Sequence, residues 1–126
     1  MLRERSFDSV KVISLERDKL LTRLEQIARK ILTERREVKE VRLFGSLARG
    51  DQVGTSDVDI LIILENDLVY SPLEQVRDYY PYFDLPIGVD ILLLSGEEVQ
   101  RRVQAQDDFI SRIKREGMTL ADNRGK

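Results

Sequence analysis

The sequence contains no cysteine and no histidine. Without cysteine there are no disulfides, thiolate metal sites or thiol nucleophiles, and without histidine the commonest zinc ligand and the usual neutral-pH general base are missing too. Any catalysis therefore falls to carboxylates. Long hydrophobic runs are also lacking. No apolar stretch approaches the roughly 18 residues of a membrane span, and the charged opening MLRERSFDSVK has no apolar centre of the kind a signal peptide carries. The expectation is a cytoplasmic protein that makes no membrane contact. Nor does one sign of charge dominate. With 21 Lys+Arg against 23 Asp+Glu the formal net charge is −2, so no global field draws the molecule onto nucleic acid, and phosphate recognition has to be local.

What remains is 126 residues, 41% hydrophobic and 35% charged, the composition of one soluble domain with a heavily solvated exterior. A single domain over 1–126 is expected, with residues 1–13 as a flexible or extended lead-in and VKVISL as a candidate edge strand. From Glu16 to Arg36, Leu20, Leu24, Ile27 and Ile31 recur at helical spacing beside Leu21, Ala28 and Leu32, which predicts an amphipathic helix packed on a sheet. EVRLFGS reads as a strand that breaks at Gly45. DVDILIIL lacks strict alternation, as a strand covered on both faces should. Ser71-Pro72-Leu73-Glu74 predicts a capped helix to about Tyr80, and IGVDILLL a third strand. Ser95-Gly96-Glu97-Glu98 opens a helix with Val99, Val103, Ile110 and Ile113 on its buried side; Gly117 ends it, and MTLA adds a short edge strand. The fold class is therefore α/β (α+β), a small mixed sheet packed with helices. The link between the first two strands is too short for a helical crossover and favours antiparallel pairing there.

Asp57 and Asp59 stand at the entrance of the greasy second strand. Side chains two apart in a strand point the same way, about 6 to 7 Å apart along the backbone, so the two charges repel unless water or a cation intervenes. Oxygen ligands of this kind suit a hard ion such as Mg²⁺. Asp90 lies in a run that calls for burial, where an ionised carboxylate needs a partner or a metal. If the second and third strands are neighbours, Asp90 joins the first two. The preceding loop supplies the complement: Gly45 lets backbone approach a ligand, Ser46 offers a hydroxyl and a cap, and Arg49 a planar cation suited to phosphate. A nucleoside triphosphate needs such an anion site beside a metal site. Taken singly, each feature has an ordinary reading: GS after a strand is a turn, SDVD a solvated strand entrance, and Asp90 a buried acid satisfied by an arginine. The aromatic cluster of Tyr70, Tyr79, Tyr80, Tyr82 and Phe83 reads as part core, part partner surface.

As one unit, GSLARGDQVGTSDVDILI resembles the signature of the minimal nucleotidyltransferases, G-S-x-A-R-G followed by S-D-x-D, within the DNA polymerase β-like nucleotidyltransferase superfamily. The likeness rests on Gly45, Ser46, Ala48, Arg49, Gly50, Ser56, Asp57 and Asp59, with GVDILLL similar to the strand of the family's third carboxylate, at Asp90. It implies the polymerase β-like fold, catalysis and metal binding by Asp57, Asp59 and Asp90, and nucleotide binding by Gly45, Ser46, Arg49 and Ser56. A pair of Mg²⁺ ions and ATP as substrate follow from it, with AMP transferred to a hydroxyl and pyrophosphate released. Stand-alone members resemble antitoxins whose partner is a HEPN-domain ribonuclease toxin, modified on a tyrosine; hetero-oligomerisation with that toxin and no direct nucleic-acid contact are then expected. The alternatives are a small-molecule acceptor such as an aminoglycoside, and a non-catalytic antitoxin that neutralises by binding.

Overall fold

Leucine and isoleucine return every three or four positions between Leu20 and Leu32, and here the chain forms the inner part of a long helix, α1 (Leu2–Glu34). The computed structural model describes the backbone of residues 2–50, 57–66 and 71–125, with side chains from Arg17 to Arg124 within those spans, Pro72 apart. The stretch expected as an extended lead-in, including VKVISL, is helical and belongs to α1. The physical reason is continuity: residues 2–34 contain no proline or glycine, and lengthening an existing helix needs no new nucleation.

Four strands follow: β1 (Val38–Phe44), β2 (Val58–Leu64), β3 (Val89–Ser95) and β4 (Met118–Asp122). They lie in the order β3-β2-β1-β4, with β1 antiparallel to β2 and β4, and β2 parallel to β3. The mixed sheet, the antiparallel first pair and the terminal edge strand thus agree with expectation. Alternate residues of β2 serve opposite faces. Val58, Ile60, Ile62 and Leu64 join Leu24, Ile27, Ile31 and Leu32 of α1 in one core, while Leu61 and Ile63 pack with Leu94, Val99, Ile110 and Ile113 in a second. Burying each of these aliphatic side chains stabilises the fold by about 1.5–3 kcal/mol.

The second core is covered by α4 (Gly96–Gln104) and α5 (Asp108–Glu116), two helices where one was expected. Ser95 caps α4 as predicted, its Oγ accepting from Glu98 N at 3.0 Å. The break comes from a second cap: the Asp107 carboxylate accepts from Ile110 N at 2.9 Å, and Gln106 reverses the chain at φ +61°. Val103 consequently stays exposed. The helix from Ser71 is also shorter than expected. It keeps one turn, α3 (Pro72–Gln75), and dissolves into 3₁₀ turns over Val76–Asp78 and Tyr80–Tyr82, because Pro81 lacks an N–H and crowds the helical conformation of Tyr80. Tyr79 and Phe83 enter the core, Tyr80 and Tyr82 remain partly exposed, and Tyr70 lies outside the described residues. Among the described residues no helix is long and apolar enough to cross a membrane.

Candidate active site

The site is built where β1 ends. Gly45 adopts φ 79° and ψ −159°, a region open essentially to glycine alone. A Cβ there would collide with the Asp59 carboxylate. The chain then makes a single helical turn, α2 (Ser46–Arg49), which Gly50 closes in the left-handed conformation by donating to Ser46 O and Leu47 O. Arg17 of α1 clamps this turn from behind, its Nε and Nη2 donating to Leu47 O at 3.3 and 3.0 Å. Gly50 and Arg17 thus hold the turn, and Ser46 is its first residue: Gly45 stands at the N-cap, so Ser46 does not cap the turn as expected. With one turn only, α2 has little macrodipole, and the polar groups at its start are the Gly45–Ser46 backbone and the Ser46 hydroxyl.

Phe44, Asp59 and Asp90 occupy one row across β1, β2 and β3: Phe44 pairs with Asp59, and Asp59 with Asp90. Partners in a row project from the same face, and strand alternation puts Asp57 on that face as well. The consequence is electrostatic. Asp59 is partly buried, and its carboxyl is pushed above the ordinary range first by desolvation, then by the charges of Asp90 and Asp57; Arg49 opposes this more weakly. Asp57 and Asp90 are exposed, so Asp90 is not buried as its apolar run suggests: it lies near the start of β3, an edge strand of the sheet. Arg49, also exposed, lies 3.6 Å from Glu116 of α5. Ser56 lies outside the described residues.

Among the described residues no group of three or more His, Cys, Asp or Glu side chains is drawn together closely enough to hold a metal ion. The donor set nevertheless fits a hard divalent cation: the groups are all carboxylates, they face one way, and their mutual repulsion is what a cation would relieve. Glycines leave room around them. A Cβ on Gly88 would come within 2.5 Å of Asp57 Oδ1, so Gly88 does for Asp57 what Gly45 does for Asp59. Sequence reasoning missed Gly88, although a glycine two positions before the third acid was visible. Arg17 and Phe44 carried no such signal, since their roles arise only when α1 and β1 are folded against α2 and β2.

Residues 24–118 match the nucleotidyltransferase domain family. Over 84 residues the chain is 30% identical to "Putative protein adenylyltransferase MJ1379" of Methanocaldococcus jannaschii, across 64% of this chain and 83% of that protein. It is 37% identical over 79 residues to "Putative protein adenylyltransferase MJ1215" of the same organism, across 60% of this chain and 91% of that protein. In fold it is similar to the crystal structure of "a putative nucleotidyltransferase from Sulfolobus solfataricus", with TM-score 0.63, 21% identity, and 86% of this chain and 85% of that chain covered. A toxin–antitoxin crystal structure with AMP-PNP shows a similar fold at TM-score 0.51 and 18% identity, covering 83% of this chain and 75% of that one.

Proposed function

This chain belongs to the nucleotidyltransferase domain family, and from that premise we propose that it transfers AMP from ATP to a tyrosine of a partner HEPN ribonuclease toxin, acting as the antitoxin. The observation that carries this reading is the row Asp59–Asp90, with Asp57 on the same face and Gly45 against the Asp59 carboxylate. The names of the curated relatives support a protein acceptor. The toxin–antitoxin fold neighbour supports a toxin as that protein.

Asp57, Asp59 and Asp90 would hold Mg²⁺, which when bound would neutralise charge on the triphosphate and acidify the acceptor hydroxyl. The chain's own residues do the rest. Gly45 exposes backbone to the β- and γ-phosphates, Ser46 donates its hydroxyl to a phosphate oxygen, and Arg49 and Ser56 complete the anion site. Holding the acceptor oxygen in line with the α-phosphorus supplies the orientational part of the rate. The acceptor's proton leaves to a carboxylate or to water.

The test is intact mass of the product of the adjacent gene after incubation with this chain, ATP and Mg²⁺. Increments of one AMP per modified tyrosine are expected. An unmodified partner, with both proteins folded, contradicts the proposal.

A further inference from the structure

A small cavity of about 120 Å³ lies between α2 and α5, where Arg49, Arg112 and Glu116 stand beside Gly45 and the rings of Phe44 and Phe109. Phe44 pairs with Asp59, so this wall of the cavity lies one strand, about 4.8 Å, from the central carboxylate. The charges in the lining are unequal. Glu116 lies 3.6 Å from Arg49, an ion pair too long to be a hydrogen bond, with the two side chains 32% and 39% exposed. Arg112 precedes Glu116 by one helical turn and so shares its face of α5. Its guanidinium has no ion-pair or hydrogen-bond partner among the described residues. Two guanidiniums therefore face one carboxylate, and the excess positive charge sits against aromatic walls that weaken its screening.

We propose that this cavity seats the terminal phosphate of the nucleotide, with Arg112 as its second arginine and Glu116 as the resident anion that the phosphate displaces; the inference rests on the transferase reading above. With the α-phosphorus over the carboxylates and Gly45 beside the phosphates that follow, the last phosphate arrives where α2 meets α5. The size agrees. Pockets that enclose whole small molecules run to roughly 300–1,000 Å³, so this one takes a single group of the ligand. Two guanidiniums offer two forks of N–H donors to the phosphate oxygens, where Arg49 alone offers one. The Glu116 carboxylate carries the right charge for the same place, and at 3.6 Å without a hydrogen bond it is held loosely enough to leave. The helix that carries both residues is already fixed. Arg42 ties its end to the sheet, donating to Ile113 O at 3.3 Å, Lys114 O at 2.9 Å and Gly117 O at 3.3 Å, while Asp107 caps its start. The seat is therefore preorganised. Arg112 touches neither the acceptor nor the α-phosphorus. It holds the leaving end of the nucleotide, and so sets how strongly a triphosphate is preferred to a diphosphate.

Calorimetric titration of the full chain with α,β-methylene-ATP and with α,β-methylene-ADP, both in Mg²⁺, tests the seat. Wild type should bind the triphosphate about tenfold more tightly than the diphosphate. Arg112→Gln should bring the two within about twofold of each other by weakening the triphosphate alone, and Arg112→Lys should recover part of the preference. Glu116→Gln, which leaves no anion to displace, should bind the triphosphate about threefold more tightly and the diphosphate as wild type does. Circular dichroism confirms that each variant is folded. Equal weakening of both analogues by Arg112→Gln, which would put the nucleobase or the β-phosphate in the cavity, overturns the assignment. So does a triphosphate preference that Arg112→Gln leaves intact, or a triphosphate affinity that Glu116→Gln fails to raise. AMP transfer to the partner without any triphosphate preference removes the seat alone. Failure of wild type to bind either analogue overturns the transferase reading itself.

Discussion

β2 presents two faces that differ in kind. Val58, Ile60, Ile62 and Leu64 are buried to within 1% beneath α1, whereas Asp57 and Asp59, the alternate positions of the same run, reach an open edge. Further along, that second face is apolar as well, with Leu61 and Ile63 beneath α4 and α5. The acids therefore mark where the helical cover stops. A strand locked by burial on one side can hold like charges on the other, because its register cannot slip by one residue without exposing the whole apolar set. The α1 face supplies rigidity, and the opposite face spends it on electrostatic strain at Asp59.

Substitutions on the two faces should therefore separate activity from stability. Asp59→Asn should lower the rate of AMP transfer by about 10³-fold or more, near 4 kcal/mol of transition-state stabilisation, in a protein that still folds; initial rates under saturating ATP and acceptor check this. On the other face, Ile60→Ala should cost about 2–5 kcal/mol in urea unfolding while leaving activity per folded molecule close to normal. Gly45→Ala lies between the two regions. It meets backbone strain of about 1–3 kcal/mol and a clash with Asp59, so both the unfolding midpoint and the rate should fall.

Smaller effects follow at Tyr79 and again at Asp59. Tyr79 is buried, donates to Glu37 Oε2 at 2.7 Å and lies under the Arg35 guanidinium. Desolvation, then that hydrogen bond, holds its phenol above the usual range. Tyr79→Phe should cost about 1 kcal/mol in urea unfolding. The smallest change is the stability of Asp59→Asn without metal. The folded pKa of Asp59 lies above its unfolded value, so its ionised form weighs against folding at neutral pH, and the penalty disappears as the pH falls below the unfolded value. Screening at this partly exposed group keeps the effect small. The variant should melt about 1–2 °C above wild type at pH 7. The gap should close toward pH 4, as thermal melts across pH will show.

Much of the scaffold was readable from residue order because it obeys local periods. The α1 stripe, the doubly buried β2 run and the Ser95 cap are each written within a dozen residues, and so is the short link that makes β1 and β2 antiparallel. The side-by-side placement of Asp59 and Asp90 was readable only as a condition on strand order. What was not readable depends on competition or on distant contacts. Asp107 and Gln106 outcompete a continuous helix through capping and a positive φ, and Pro81 cuts short the helix from Ser71. The clamp of Arg17 on Leu47 O joins residues 30 positions apart, and the pairing of Phe109 with Phe44 spans the whole sheet unit; neither leaves a trace in sequence spacing.

The central claim is that Asp57 and Asp59 hold the cation that binds the triphosphate, with Asp90 completing the cation at the acceptor hydroxyl. Calorimetric titration of the wild-type chain and of Asp59→Asn with a non-hydrolysable ATP analogue, with and without Mg²⁺, tests it most directly. Wild type should bind the analogue at least about tenfold more tightly with Mg²⁺ than without, and Asp59→Asn should lose that dependence. Equal, Mg²⁺-independent affinity in both proteins would contradict the claim.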